Sequence, residues 1–285
     1  MTETGTRMEA LAQASASIPF RYKLSAVWLA IFGLLVVLFA VARFDTDWML
    51  ENVGYIAVGL RTTVLIAASA IVLAIIMALL GALGRLSKNP VFFGLSGFYT
   101  SFFRGTPLIV QMFLVYFGLP QLGQAGPTWL RDLLILDAVP AGILALGLNY
   151  GAYMTEIFRA GIQSVGHGQT EAAGALGMSY SQTMRRVILP QAVRVIIPPT
   201  GNEFIAMMKD TALVSFLGAT ASQLEVFRRA QLQGRADNRN LEAFIVSAAV
   251  YWVLTTIFTY FQGRLERKLS TGYVRDASAV RGGGH

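Results

Sequence analysis

"SVGHGQTEAAGALGMSYSQTMRRVILPQAV", residues 164–193, is the stretch whose reading decides the fold. It joins two apolar runs, but it is not composed like a floppy linker. "TEAAGALGM" is rich in helix formers, carries Glu171 near its start, and has Thr170 placed to cap it. Gly174 and Gly177 leave little side-chain bulk on one face. A helix of small residues at a membrane surface suits a partner's cleft. The same composition also suits an interfacial helix with no partner.

The surroundings show that a membrane is involved. The chain has 285 residues, of which 54% are hydrophobic and only 14% charged. Its mean hydropathy is +0.54. Soluble domains usually carry about 25% charged residues, so the composition fits a polytopic membrane protein. There are no cysteines and two histidines, which excludes disulfides, thiolate metal sites and cysteine nucleophiles. The net charge of +7 could suggest nucleic acid. Here the basic residues lie between apolar runs, which points to anchoring at a membrane surface instead. No lysine follows a glycine, so the chain has no phosphate-binding P-loop of its own.

Six spans are expected. They are 24–42, then spans within 53–83 and 92–120, 138–161, a fifth starting near Val187, and 243–261. Each approaches the ~20 residues that cross a bilayer. Ala40-Val41-Ala42 mimics a signal-peptidase site, but the run before it is long for a signal peptide. Arginine and lysine bias sets the orientation. Arg21, Lys23, Arg85, Lys88, Arg185, Arg186, Arg264, Arg267 and Lys268 all fall on one side, which is then cytoplasmic, as are both termini. The loop 216–242 breaks the rule, with Arg228, Arg229, Arg235 and Arg239 on the outer side.

The fifth span holds the densest polar cluster, "GNEFIAMMKDTALVS", 201–215. Three charges facing lipid at mid-membrane would cost roughly 8–10 kcal/mol. Glu203, Lys209 and Asp210 must therefore lie near an interface, pair, or line a wet cavity. Residues seven apart on a helix lie within about 20° of each other. Glu203 and Asp210 thus share a stripe, with Met207 between them, and Asn202 and Lys209 share another. The acidic stripe suits an ammonium or guanidinium group, and the amide–ammonium stripe suits a carboxylate. A Lys209–Asp210 pair anchoring the span is the structural alternative. Pro198-Pro199 is expected to break the helix just before this cluster. Asn149, mid-span, can bind a ligand or another helix. Arg104 and Glu156 form a candidate inner-gate pair.

Glu171-Ala172-Ala173, three residues, Gly177, nine residues, then Val187-x-Leu189-Pro190 resembles the EAA loop of ABC importer permeases. Val187 stands where that pattern has isoleucine. "FFRGTPLIVQMFLVYFGLP", "LNYGAYMTEIFRAGIQSV" and "PPTGNEFIAMMKDTALVSFLG" are similar to the polar amino acid branch of that family. The resemblance implies an all-α membrane protein with the type I importer fold, a five-helix core plus one N-terminal span. It implies a cytoplasmic tail at 1–23, an extra helix and external loop at 24–52, a permease domain at 53–265 with its coupling loop at 164–190, and a cytoplasmic tail at 266–285. It further implies a multi-pass protein of the bacterial inner membrane, working as an importer subunit and not an enzyme.

Four partners follow from the resemblance: an ABC ATPase dimer that holds ATP and magnesium, a second permease subunit, an extracytoplasmic solute-binding protein, and an amino acid. Glu171, Ala172, Ala173, Gly177, Leu189 and Pro190 would couple to the ATPase. Glu203, Asp210, Asn202, Lys209, Met207 and Asn149 would meet the substrate. The rival readings are a secondary transporter or channel working without ATP, and a membrane enzyme. The first is expected to carry an inverted repeat, and the second needs a nucleophile motif. Neither is evident in the sequence.

Overall fold

The computed structural model describes residues 19–124, 126–218 and 223–270. The tails before 19 and after 270 lie outside the described residues. The chain divides into two units after Leu50. In the first, α1 runs Phe20–Ala42, four residues earlier than expected, and none of its side chains is buried. It ends at Arg43, whose φ of 51° is left-handed.

The remaining helices follow in order. They are α2 (Thr46–Ala57), α3 (Leu60–Leu86), α4 (Pro90–Gly105), α5 (Leu108–Gln124), α6 (Thr128–Leu134), α7 (Ala138–Gln163) and α8 (His167–Ala175). Then come α9 (Tyr180–Thr183), α10 (Leu189–Asp210), a 3-10 turn (Thr211–Leu217), α11 (Val226–Ala236) and α12 (Asn240–Ser270). No strand occurs among the described residues.

The centre of the second unit is the α3–α7 pair. On α3, Ala67, Ala70, Ala74, Ala78 and Ala82 recur every three or four residues and are all buried. On α7, a Cβ at Gly147 would sit 2.6 Å from Leu73, and one at Gly151 would sit 2.7 Å from both Met77 and the Tyr99 hydroxyl. Gly81 abuts Thr155 more tightly still. Lipid tails are as apolar as leucine, so helices in a bilayer associate chiefly through such close contact between small residues.

Among the described residues three helices are long and apolar enough to cross a membrane, or up to five if each of two bent pairs is one span. The expected span within 53–83 is divided at Val58-Gly59, where α2 gives way to α3. The start of α11 presses on this joint: a Cβ on Gly59 would lie 2.5 Å from the Val226 nitrogen. The expected span within 92–120 bends by 110° between α4 and α5. Pro107 forces this bend, since the residue before a proline is driven out of the α region, and Thr106 is extended (φ −120°, ψ 148°). Gln111 then satisfies the exposed carbonyls, its Nε2 donating to Phe103 (2.8 Å) and Thr106 (3.0 Å). A 78° bend separates α6 from α7.

The expected fifth span corresponds to α10, which carries Arg194, Glu203, Lys209 and Asp210 and is not among the apolar spans. The proline break expected there is absent. Helix α10 continues through Pro198 and Pro199, and Gln262 of α12 donates to the Pro198 carbonyl at 2.8 Å. Two π turns, Leu114–Gly118 and Met184–Ile188, each end two residues before a proline, Pro120 and Pro190. A proline has no N–H for the preceding turn, and widening that turn relieves both the lost bond and the ring clash.

Overpacking tests the α3–α7 contact. Gly147→Leu is expected to lower the thermal stability of the detergent-purified protein, by roughly 1–3 kcal/mol. Gly94→Ala, where a Cβ meets nothing within 4 Å, is expected to leave it unchanged. Scanning calorimetry or fluorescence-detected chromatography reads both.

Candidate functional site

Helix α10 presents its polar residues on two sides. Glu203 and Asp210 are half-buried, whereas Asn202 and Lys209 are exposed. Asp210 accepts a hydrogen bond from the Tyr150 hydroxyl of α7 at 2.8 Å. Glu203 lies two turns before Asp210 on the same stripe of α10. The structure thus brings Tyr150 of α7 onto the acidic stripe through Asp210. No ion pair joins Lys209 to Asp210 among the described residues. The expected anchoring pair is replaced by the Tyr150–Asp210 bond.

Two expected substrate contacts are corrected. Met207 is wholly buried in the core that α3 and α7 share. It lies about 40° around the helix from Glu203, and that turn carries it off the polar stripe into the packing. Asn149 is also buried, and its Nδ2 donates to the Phe103 carbonyl (3.1 Å) and to Gln111 Oε1 (2.9 Å). Its amide binds the α4–α5 bend and not an open path.

The Arg104–Glu156 gate pair is corrected as well. Glu156 accepts from Arg159 Nε at 2.8 Å, one turn along α7, and lies 3.7 Å from Arg85 of α3. Arg104 instead stacks on Tyr153, its Cζ 5.4 Å from the ring centre. Tyr153 lies nearly one turn before Glu156, so Arg104 falls short of the acid. Arg85, which the sequence reading used only for orientation, is the true partner across helices, held also over the Phe93 ring at 4.6 Å.

The coupling loop is folded. Helix α8 starts at His167, so Thr170 lies inside it and does not cap it. Its end is a Schellman motif. Gly177 (φ +75°) donates to Gly174 at 2.9 Å, and Met178 donates to Ala173 at 3.0 Å. A capping box at Ser179 and Gln182 then starts α9. Glu171 and Ala172 are exposed, Ala173 is buried, Leu189 is half-buried and Pro190 is exposed. Leu176 and Tyr180 stand out as large apolar side chains 79% and 77% exposed, flanking Gly177.

Glu225 is a residue that the sequence reading missed. It is almost fully buried. It caps α11 by accepting from Phe227 N (2.7 Å) and Arg228 N (2.6 Å), and it accepts from the hydroxyls of Tyr251 (2.5 Å) and Ser215. Burial pushes its carboxyl above the ordinary range, while these four hydrogen bonds pull it back. The local signal was an acid directly before an amphipathic helix. Two of the arginines that broke the charge rule have local contacts: Arg229 lies over the Tyr55 ring at 4.9 Å, and Arg239 sits 3.8 Å from Glu242.

The all-helical fold of the described residues is that of the type I ABC importer permeases, the class to which the matching family and superposing structure assign it. The chain belongs to the family of binding-protein-dependent transport system inner membrane components, whose profile matches residues 70–271. It is 40% identical over 232 residues to the probable amino-acid ABC transporter permease protein PatM of Vibrio harveyi, covering 81% of this chain and 99% of that one. It is 38% identical over 229 residues to the arginine transport system permease protein ArtQ of Bacillus subtilis (strain 168), covering 80% and 98%. A crystal structure of an amino acid ABC transporter with histidines superposes with a TM-score of 0.70 at 37% identity, covering 79% of this chain and 98% of that one.

Gly177 separates the fold of the coupling loop from its docking. Gly177→Ala is expected to cost about 1–2 kcal/mol locally, because only glycine enters the left-handed region freely. Gly177→Asn, which tolerates that region, is expected to restore the loop. Hydrogen exchange at Met178 reads both variants.

Proposed function

We propose that this permease subunit imports a polar amino acid, cationic or zwitterionic, with Glu203 and Asp210 meeting its positive end. The observation that carries this reading is the half-buried acid pair on α10. Tyr150 holds Asp210, while Glu203 accepts no hydrogen bond from the described residues. With Lys209 the stretch is net −1 per copy, so two copies give −2 (twice −1). That sign favours arginine, lysine or histidine over glutamate. The relatives named for amino acid and arginine transport support the class. Exposed Lys209 and Asn202 suit a substrate carboxylate.

In this reading ATP and magnesium belong to a separate ABC ATPase dimer, which receives α8 with Leu176 and Tyr180 beside it. A solute-binding protein delivers the amino acid from outside. A second permease subunit, identical or homologous, covers the exposed Lys209 side. The chain is multi-pass with both termini cytoplasmic. Gly177→Arg in the assembled complex is expected to abolish ATPase association while the membrane fold persists. Normal association would remove the coupling role.

Transport in reconstituted vesicles tests the site. Glu203→Gln is expected to slow arginine uptake roughly tenfold, the effect of about 1.4 kcal/mol, with ATPase assembly intact. Asp210→Asn and Tyr150→Phe are expected to act in the same direction. Wild-type rate and selectivity in both acid variants would leave the charges as interfacial anchors. The cysteine-free chain also reports orientation. Ser87→Cys is expected to react only with a membrane-permeant reagent, and Asn238→Cys with an impermeant one.

A further inference from the structure

A cleft lies away from α10, where α3 begins. It has a volume of about 390 Å³ and is lined by Val58, Arg61, Thr62, Leu65, Val139, Gln223 and Arg229. Its chemistry is divided. Arg61 is exposed, and no contact occupies its guanidinium among the described residues. Arg229 is fixed by its Nε donating to the Leu224 carbonyl (3.3 Å), its Nη1 donating to the Tyr55 carbonyl (3.4 Å), and the Tyr55 ring beneath it. Those contacts leave its other N–H groups free. Gln223 Oε1 is buried with no hydrogen-bond partner. No acid lines the cleft among the described residues, and Glu225 turns its carboxylate onto Ser215 and Tyr251 instead.

Two cations and an orphaned acceptor select a ligand that carries an anion with a hydrogen-bond donor beside it. Arginine forks match phosphate oxygens. An unpaired buried carbonyl oxygen is costly until a hydroxyl or ammonium reaches it. The surface below the cleft identifies what bears that head. Leu65 lies one turn from Arg61, and Leu65, Val72 and Leu79 form an exposed apolar stripe down α3. At seven-residue spacing they share one face, and Leu65 to Leu79 covers about 21 Å. That is the reach of an acyl chain lying against a helix. Tyr55, half-wet beside the arginines, suits the membrane–water boundary.

We propose that this cleft binds the headgroup of an anionic glycerophospholipid, phosphatidylglycerol in chemistry. Arg61 and Arg229 hold its phosphate, Gln223 accepts from its glycerol hydroxyl, and one acyl chain follows Leu65, Val72 and Leu79. The site requires only that α3 enter the bilayer at Arg61. It stands whichever side is cytoplasmic and whatever α10 transports.

The test uses the full chain with its partner subunits in nanodiscs. Wild-type protein is expected to retain phosphatidylglycerol through exchange into phosphatidylcholine, read by native mass spectrometry. Arg61→Gln with Arg229→Gln is expected to lose that retention roughly tenfold. Arg61→Gln alone, at an exposed side chain without contacts, guards against misfolding and is expected to show part of the loss. Gln223→Leu is expected to weaken phosphatidylglycerol while leaving phosphatidic acid, which lacks the headgroup glycerol, unaffected. Equal retention by wild type and the double variant overturns the proposal. So does full competition by soluble glycerol 3-phosphate, which would assign the cleft to a free anion. Efficient disulfide formation between two copies of a Leu65→Cys chain would assign the face to a subunit interface and overturn it too.

Discussion

The structure depends on how closely α3 and α7 approach. In water, apolar side chains are driven together by solvent. In a bilayer that drive is absent, and contact area must replace it. Alanines along α3 and glycines on both helices bring the two backbones within reach, so that Leu73 and Met77 of α3 fill the spaces at Gly147 and Gly151, and Thr155 of α7 fills the space at Gly81. The other elements are referenced to this pair. The α4–α5 bend is tied to α7 through Asn149, and α10 is tied to it through Tyr150.

Around that pair, polar groups appear where the backbone is irregular. Pro107 opens the end of α4, and Gln111 closes it again. The carbonyl of Pro198 gains Gln262 as an additional donor. Glu225 gathers the start of α11, the 3-10 turn and α12 onto one carboxylate. Buried polar groups are tolerated when each finds a partner, and here the partners come mostly from other helices. This explains why so apolar a chain carries glutamines and an asparagine inside it.

That same long-range pairing limited what the sequence revealed. Most of the apolar runs were legible, because length and hydropathy are properties of one segment, but the polar α10 falls outside the apolar spans. The bends were partly legible through Pro107 and Gly59. The acidic stripe was legible as an angle, which placed Glu203 and Asp210 on one side of the helix. The angle alone could not say which neighbours faced inward, so Met207 was drawn into the site although the core claims it. Arg104 and Arg85 are chemically alike, and only the packing of α3 on α7 decides which one meets Glu156. Glu225 escaped notice because two of its donors lie 10 residues before and 26 residues after it.

Tyr180 to Asp210 is one unbroken rod of helix, with a π turn and Pro190 near one end and the pair Pro198-Pro199 further along. Pro198 and Pro199 have no N–H to give to the carbonyls of Arg194 and Val195, so two consecutive rungs of the rod are missing. The shaft resists stretching and twisting on either side, yet it flexes cheaply at that one place. It behaves as a lever with a compliant joint. A bend at that joint would change the tilt of Glu203 and Asp210 relative to the Tyr180 end and leave the length of either arm unchanged.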